Sequence, residues 1–159
     1  MRKSKPTLRY WDSCVFLAYL KEEPERVVQC DAILKAAQES KTLIITSSVT
    51  LFEVLWLDKD QRYDENSKQK IRDLFEYSFI KIADLTRFVA DQARELKWEY
   101  HDIQIKDAGH LATVIESDVS RFETYDRKLI EYDKKFKNKL GQEIRIVEPF
   151  ITTEPGLPF

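Results

Sequence analysis

Two spacings of apolar residues alternate along this chain. Short runs rich in β-branched and aromatic residues, Leu8–Trp11, Leu43–Thr46, Phe79–Ile82, Phe122–Tyr125 and Ile144–Val147, read as strands. Leu43–Thr46 is apolar on both faces, as a strand buried inside a parallel sheet requires. Between the strands the apolar positions move to helical spacing. Ser13–Leu20 reads as a buried helix. A second helix starts near Pro24 and carries Val27, Val28, Cys30, Ile33, Leu34 and Ala37. Ser47 or Ser48 suits the cap of a third, running to about Leu57. Asp58–Asn66 is polar and reads as a loop. Lys68–Tyr77, Thr86–Tyr100 and Lys106–Glu116 are amphipathic helices. A basic helix is expected from Asp126 toward Lys139, stopped by Gly141, and the tail after Pro149 is expected to be loose. Strands alternating with helices predict a three-layer α/β/α sandwich with a mostly parallel central sheet.

Composition narrows this picture. With 159 residues the chain is long enough for one sizeable core, and a single domain over 1–148 with a tail at 149–159 is expected. Twenty-six Lys and Arg against 28 Asp and Glu leave a net charge of −2, so a nucleic-acid partner would be held by a local patch or through a metal. The two cysteines, Cys14 and Cys30, form no CxxC pair and suggest a reducing compartment. The N-terminal segment has no apolar stretch of signal-peptide length behind its charges. No segment approaches the roughly 18 apolar residues of a membrane span, so the expected location is the cytoplasm.

Four carboxylates stand where strands give way to helices, or in the helix that follows: Asp12, Glu53, Asp107 and Asp126. In an open parallel sheet the carboxyl ends of the strands share one edge, where ligands bind, so the four acids can converge there. Taken singly, Asp12, Asp107 and Asp126 read equally well as helix caps. Glu53 is different. Its neighbours Val49, Leu51, Phe52, Val54, Leu55 and Trp56 are apolar, so it needs a window to solvent, a partner or a cation. A cluster of acids without a matching arginine favours a divalent cation, Mg²⁺ or Mn²⁺, and phosphate chemistry.

Four stretches carry a resemblance: Tyr10-Trp11-Asp12-Ser13-Cys14-Val15-Phe16-Leu17, Ile45 to Leu55, Lys106-Asp107-Ala108-Gly109-His110-Leu111-Ala112-Thr113, and Phe122-Glu123-Thr124-Tyr125-Asp126. In this order and spacing, over about Leu8 to Val147, the chain resembles the PIN domain, the fold of many small prokaryotic ribonucleases including VapC-type toxins. The resemblance implies a hydrolase that cuts RNA with Mg²⁺ or Mn²⁺, with Asp12, Glu53, Asp107 and Asp126 as catalytic and metal-holding residues. Asp12 and Asp107 are expected innermost. Ser13 and Thr124 match the small hydroxyl residues beside the first and last acids and are carried over as substrate contacts. Such toxins are commonly homodimers silenced by a small antitoxin protein, and both partners are implied here together with RNA. Gly109 departs from the larger apolar residue usual at its place and suggests close backbone packing.

Other residues carry weaker signals. From Arg121 to Lys139 there are seven Lys and Arg against four Asp and Glu, a path for RNA or simply a solvated face, with Arg127 and Lys128 nearest the acids. His110 follows Asp107 by three residues and is placed to touch a phosphate or a metal-bound water, but a lone histidine is a weak signal; Cys14 reads as core, and His101 as a helix-end residue. Trp56, Trp98 and Tyr100 are helical aromatics for which packing is the simpler role. The competing function is a PIN-like module that binds nucleic acid or protein without cutting. An aspartyl-phosphate enzyme of the haloacid-dehalogenase kind would want Asp-x-Asp after the first strand, and Asp12-Ser13-Cys14 lacks the second Asp.

Overall fold

The structure is a computed structural model describing residues 3–58 and 64–152. Five strands form one sheet: β1 (Thr7–Trp11), β2 (Thr42–Ser47), β3 (Ile80–Ala83), β4 (Arg121–Glu123) and β5 (Arg145–Val147). Their order is β3-β2-β1-β4-β5 and every pairing is parallel. The chain builds outward from β1 to β3, then crosses to the other side of β1 for β4 and β5. The order therefore reverses between β1 and β4. That reversal opens a crevice at the carboxyl edge, where parallel sheets bind ligands.

Successive strand residues point to opposite faces, and this divides the core in two. Tyr10, Phe122 and Ile146 pack on one face with Val89 and Ala93 of α5 (Arg87–Glu99) and Ala108, Leu111 and Ala112 of α6 (Ile105–Ile115). Trp11, Ile44 and Ile80 pack on the other with Val15 and Phe16 of α1 (Ser13–Leu20), Ile33 and Leu34 of α2 (Arg26–Gln38), and Leu74 of α4 (Glu65–Phe75). The expected three-layer sandwich is what forms. Among the described residues no helix is long and apolar enough to cross a membrane.

Three expectations are corrected. The helix after β2, α3, ends at Glu53 rather than near Leu57. Leu51, Phe52, Leu55 and Trp56 have no core to face there and stand exposed. The basic helix from Asp126 is a single turn, α7 (Arg127–Ile130). Lys134 takes a positive φ of 65° and its amide donates to the Ile144 carbonyl, so the chain doubles back instead of winding on. Gly141, at φ 78°, lies in the turn of that return, where the Asn138 side-chain oxygen accepts from the amides of Leu140 and Gln142. Third, the start of the tail is anchored: the Phe150 carbonyl accepts from Arg9 at 2.8 Å, and the Ile151 amide donates to Gln29 at 3.0 Å. Residues 153–159 and the middle of the expected 58–66 loop lie outside the described residues. Within that loop span, Glu65 and Asn66 already belong to α4, capped by the Asp64 carboxylate on the Ser67 amide.

Candidate active site

Asp12 leaves the end of β1 and sits at the N-cap position of α1, but its carboxylate oxygens are occupied by other partners. Thr124 Oγ1 donates to Oδ2 at 2.6 Å and Cys14 Sγ donates to Oδ1 at 2.8 Å. Burial raises the Asp12 carboxyl above its ordinary value, while His110, Cys14 and Thr124 oppose that shift. Thr124 follows β4 and is fully buried. It also accepts from the Asp126 amide at 3.1 Å, so one hydroxyl ties the first acid to the last. Cys14 lies half-buried at the site rather than in the core interior. Its sulfur accepts from the Tyr125 amide at 3.4 Å, and burial pushes its thiol pKa far up, which leaves it a donor and not a nucleophile.

Asp107 enters from the first turn of α6. Burial, the Asp126 charge and the Asp12 charge together push its carboxyl up to about 6, against the pull of Lys106 and His110. Asp126 caps α7, its Oδ1 accepting from the Lys128 amide at 2.9 Å. Arg127 and Lys128 follow with exposed side chains.

Glu53, the last residue of α3, reaches the crevice on a side chain that is 13% exposed. His110 Nε2 meets its Oε1 at 2.6 Å, and Lys106 Nζ lies 3.8 Å from Oε2. Burial alone would raise the Glu53 carboxyl, but the hydrogen bond and charge of His110, Lys106 and the buried Ser13 hydroxyl together bring it below the ordinary value. Glu53 is therefore the acid held ionised, whereas Asp12 and Asp107 are both shifted toward the protonated form.

Asp107 thus feels the charges of both Asp12 and Asp126, Thr124 stands between Asp12 and Asp126, and Glu53 is tied to α6 through His110 with Ser13 against it. Both hydroxyls are buried and serve the acids rather than facing outward. Cys14, Lys106 and Tyr10 enter the site as well, and His110 is part of it. The available signal for His110 was its place one helical turn after Asp107 on the same helix. Trp56 and Trp98 are exposed, not packed, whereas Tyr100 packs edge-on against Tyr132 and Phe136. His101 is exposed in the turn after α5.

Among the described residues no three His, Cys, Asp or Glu side chains form a ready coordination cage. The donor chemistry nevertheless fits a hard divalent ion. Magnesium takes one or two carboxylates and keeps several waters, so Asp12 and Asp107 would be enough to hold one. Burial, and after it the charges of Asp126 and Asp12, disfavour the ionised Asp107, a cost that such an ion would relieve.

A family model described as the PIN domain matches residues 9–135. None of the curated proteins matches this sequence. Among solved structures, VapC20 of Mycobacterium tuberculosis, a toxin that cleaves the sarcin–ricin loop, is similar with a TM-score of 0.59 and 16% identity, over 75% of this chain and 90% of its own. VapBC2 of Rickettsia felis, bound to a promoter DNA fragment, gives 0.61 and 17% over 91% and 100%. A toxin–antitoxin complex of Klebsiella pneumoniae gives 0.59 and 18% over 91% and 99%. At these identities the structural likeness speaks for the fold, and the family match covers the stretch from β1 past α7 that carries every candidate acid. This chain belongs to the PIN-domain family.

Proposed function

We propose that this protein is a divalent-metal-dependent endoribonuclease, working in the cytoplasm as the toxin of a toxin–antitoxin pair. The observation that carries the reading is the crevice itself. Asp107 is pushed up to about 6 by burial and by the charges of Asp126 and Asp12, and Glu53 joins this group through His110. Residues 1–148 would act as one catalytic domain.

Asp12 and Asp107 would hold the cation, Mg²⁺ or Mn²⁺. When bound, it supplies a Lewis acid for the phosphoryl group and makes water more acidic. The chain's own residues do the rest. Thr124 and Cys14 hold the Asp12 carboxylate in one orientation. Glu53, ionised and reached by Lys106 and His110, orients the attacking water together with Asp126. Arg127 and Lys128 lie exposed beside Asp126 and would bind the RNA backbone through its phosphates. An antitoxin partner is supported by the Rickettsia and Klebsiella complexes, which share the fold. A homodimer is carried over from the family resemblance, with exposed apolar side chains such as Phe52, Phe88 and Ile105 as candidate contacts.

The test is cleavage of structured and unstructured RNA with Mn²⁺, Mg²⁺ or EDTA, beside Asp12→Asn. Cleavage that needs the metal and falls at least about 100-fold in the variant supports the reading. RNA binding with no cleavage under any metal would sink it in favour of a non-catalytic binding module.

A further inference from the structure

Tyr10 is the last residue of β1 but one, and it points into the α5–α6 side of the core while Asp12, two residues on, enters the crevice. Its hydroxyl is fully buried and meets His110 Nδ1 at 2.7 Å, and the other ring nitrogen of His110 meets Glu53 Oε1 at 2.6 Å. The His110 ring itself is 1% exposed. Thr46 and Thr113 flank the tyrosine hydroxyl, and both are buried with their own hydroxyls donating to backbone carbonyls of Trp11 and Gly109. A continuous polar chain thus crosses an otherwise apolar core and ends on one active-site carboxylate. Buried polar networks can often be replaced by apolar residues of similar volume without loss of stability. A satisfied buried network of this sort imposes one geometry instead.

We infer that Tyr10 and His110 form a positioning relay that fixes the Glu53 carboxylate toward the crevice. The inference rests on the nuclease reading, to which it adds two residues. An ionised carboxylate only accepts, so His110 Nε2 carries a hydrogen and donates it to Glu53. Tyr10 orients the ring through Nδ1. Outer partners that orient active-site groups in this way typically contribute about 10–100-fold to metal affinity or activity.

The experiment combines ring spectroscopy with kinetics on the full chain. The protein has two histidines, so a long-range ¹H–¹⁵N spectrum shows two imidazoles, one of them the exposed His101. The His110 ring is expected to be protonated at Nε2, and that signal is expected to move in Glu53→Gln and in Tyr10→Phe. Tyr10→Phe is expected to lower kcat about tenfold with KM unchanged, and His110→Ala about 100-fold. His110→Gln, which keeps a donor, recovers most of that loss. Because His110→Ala empties a core position and can fail to fold, Tyr10→Phe and His110→Gln decide the matter, with thermal melts confirming folded protein. An unprotonated Nε2, or kcat within about twofold of wild type in folded Tyr10→Phe, overturns the relay. If no RNA is cleaved by wild type, the nuclease reading fails, and the ring spectra alone decide whether the relay stands.

Discussion

Asp107 carries the clearest electrostatic signature of the site, because it is buried next to two other acids and its carboxyl rises from 3.8 to about 6. The folded chain therefore holds this proton more tightly than the unfolded chain does. The stabilisation from that proton is complete below about pH 4 and is lost as the pH rises through about 6. At pH 7.5 the folded state carries the whole penalty, on the order of 1–3 kcal/mol. Asp107→Asn is expected to raise the melting temperature at pH 7.5 in cation-free buffer while abolishing cleavage. Mn²⁺ is expected to raise the melting temperature of wild type at pH 7.5, with the gain fading below pH 6 as Asp107 takes up its proton. Melts at several pH values, with cation and with EDTA, check both. A variant melting below wild type at pH 7.5 contradicts the account.

Among the elements, α6 does most to assemble the site. It presents Asp107, His110 and Lys106 from one surface while burying Ala108, Leu111 and Ala112 against the sheet. Gly109 lies between them, and the sequence suggested that close packing requires it there. The structure corrects this, since a Cβ at that position meets only Val49 Cγ2, at 4.0 Å, an ordinary contact. Gly109→Ala is therefore expected to stabilise the fold by about 0.5–1 kcal/mol through reduced unfolded-state freedom. Urea unfolding measures this, and a destabilised Gly109→Ala protein would show that α6 is held more tightly than it looks. The elements the sequence misjudged, α3 and the segment after α7, share one cause. Helical spacing and charge were read where exposed apolar side chains and a positive-φ turn govern instead. Local pattern cannot tell a buried apolar run from one exposed on the surface.

Across the whole molecule, one buried charge joins distant parts of the chain. Glu123 on β4 is fully buried and accepts from Arg9 at 2.6 Å, Trp11 Nε1 at 2.8 Å and Arg121 at 2.9 Å. Arg9 and Arg121 both also donate to the Phe150 carbonyl, so β1, β4 and the C-terminal segment meet at this carboxylate. Arg9 Nε is the one buried side-chain polar atom without a hydrogen bond among the described residues, which makes Arg9 the more dependent on Glu123. Glu123→Ala is expected to cost about 3–5 kcal/mol, because it leaves the Arg9 charge buried and unpaired, and Glu123→Gln less. Guanidinium midpoints for the two variants test the ranking, and a Glu123→Ala midpoint near wild type would refute it.

The sequence by itself determined the layers, the strand and helix identities and the four acids. Those follow from periodicity, and from residue types whose chemistry is costly to misplace. Asp12 and Asp126 were legible as acids just after strand ends, and Glu53 and Asp107 as acids on apolar helices. The hub at Glu123 and the relay of Tyr10 and His110 were not, since Arg9 lies 114 residues from Glu123 and Tyr10 lies 100 from His110. Tertiary structure alone decided that Tyr10 and His110 share one face of the sheet, and that Cys14 and Thr124 grip the same carboxylate. It also decided which carboxyl is shifted below its ordinary value, Glu53, and which are shifted above it, Asp12 and Asp107. Burial and neighbouring charge set those states, and both arise only when the chain has closed on itself.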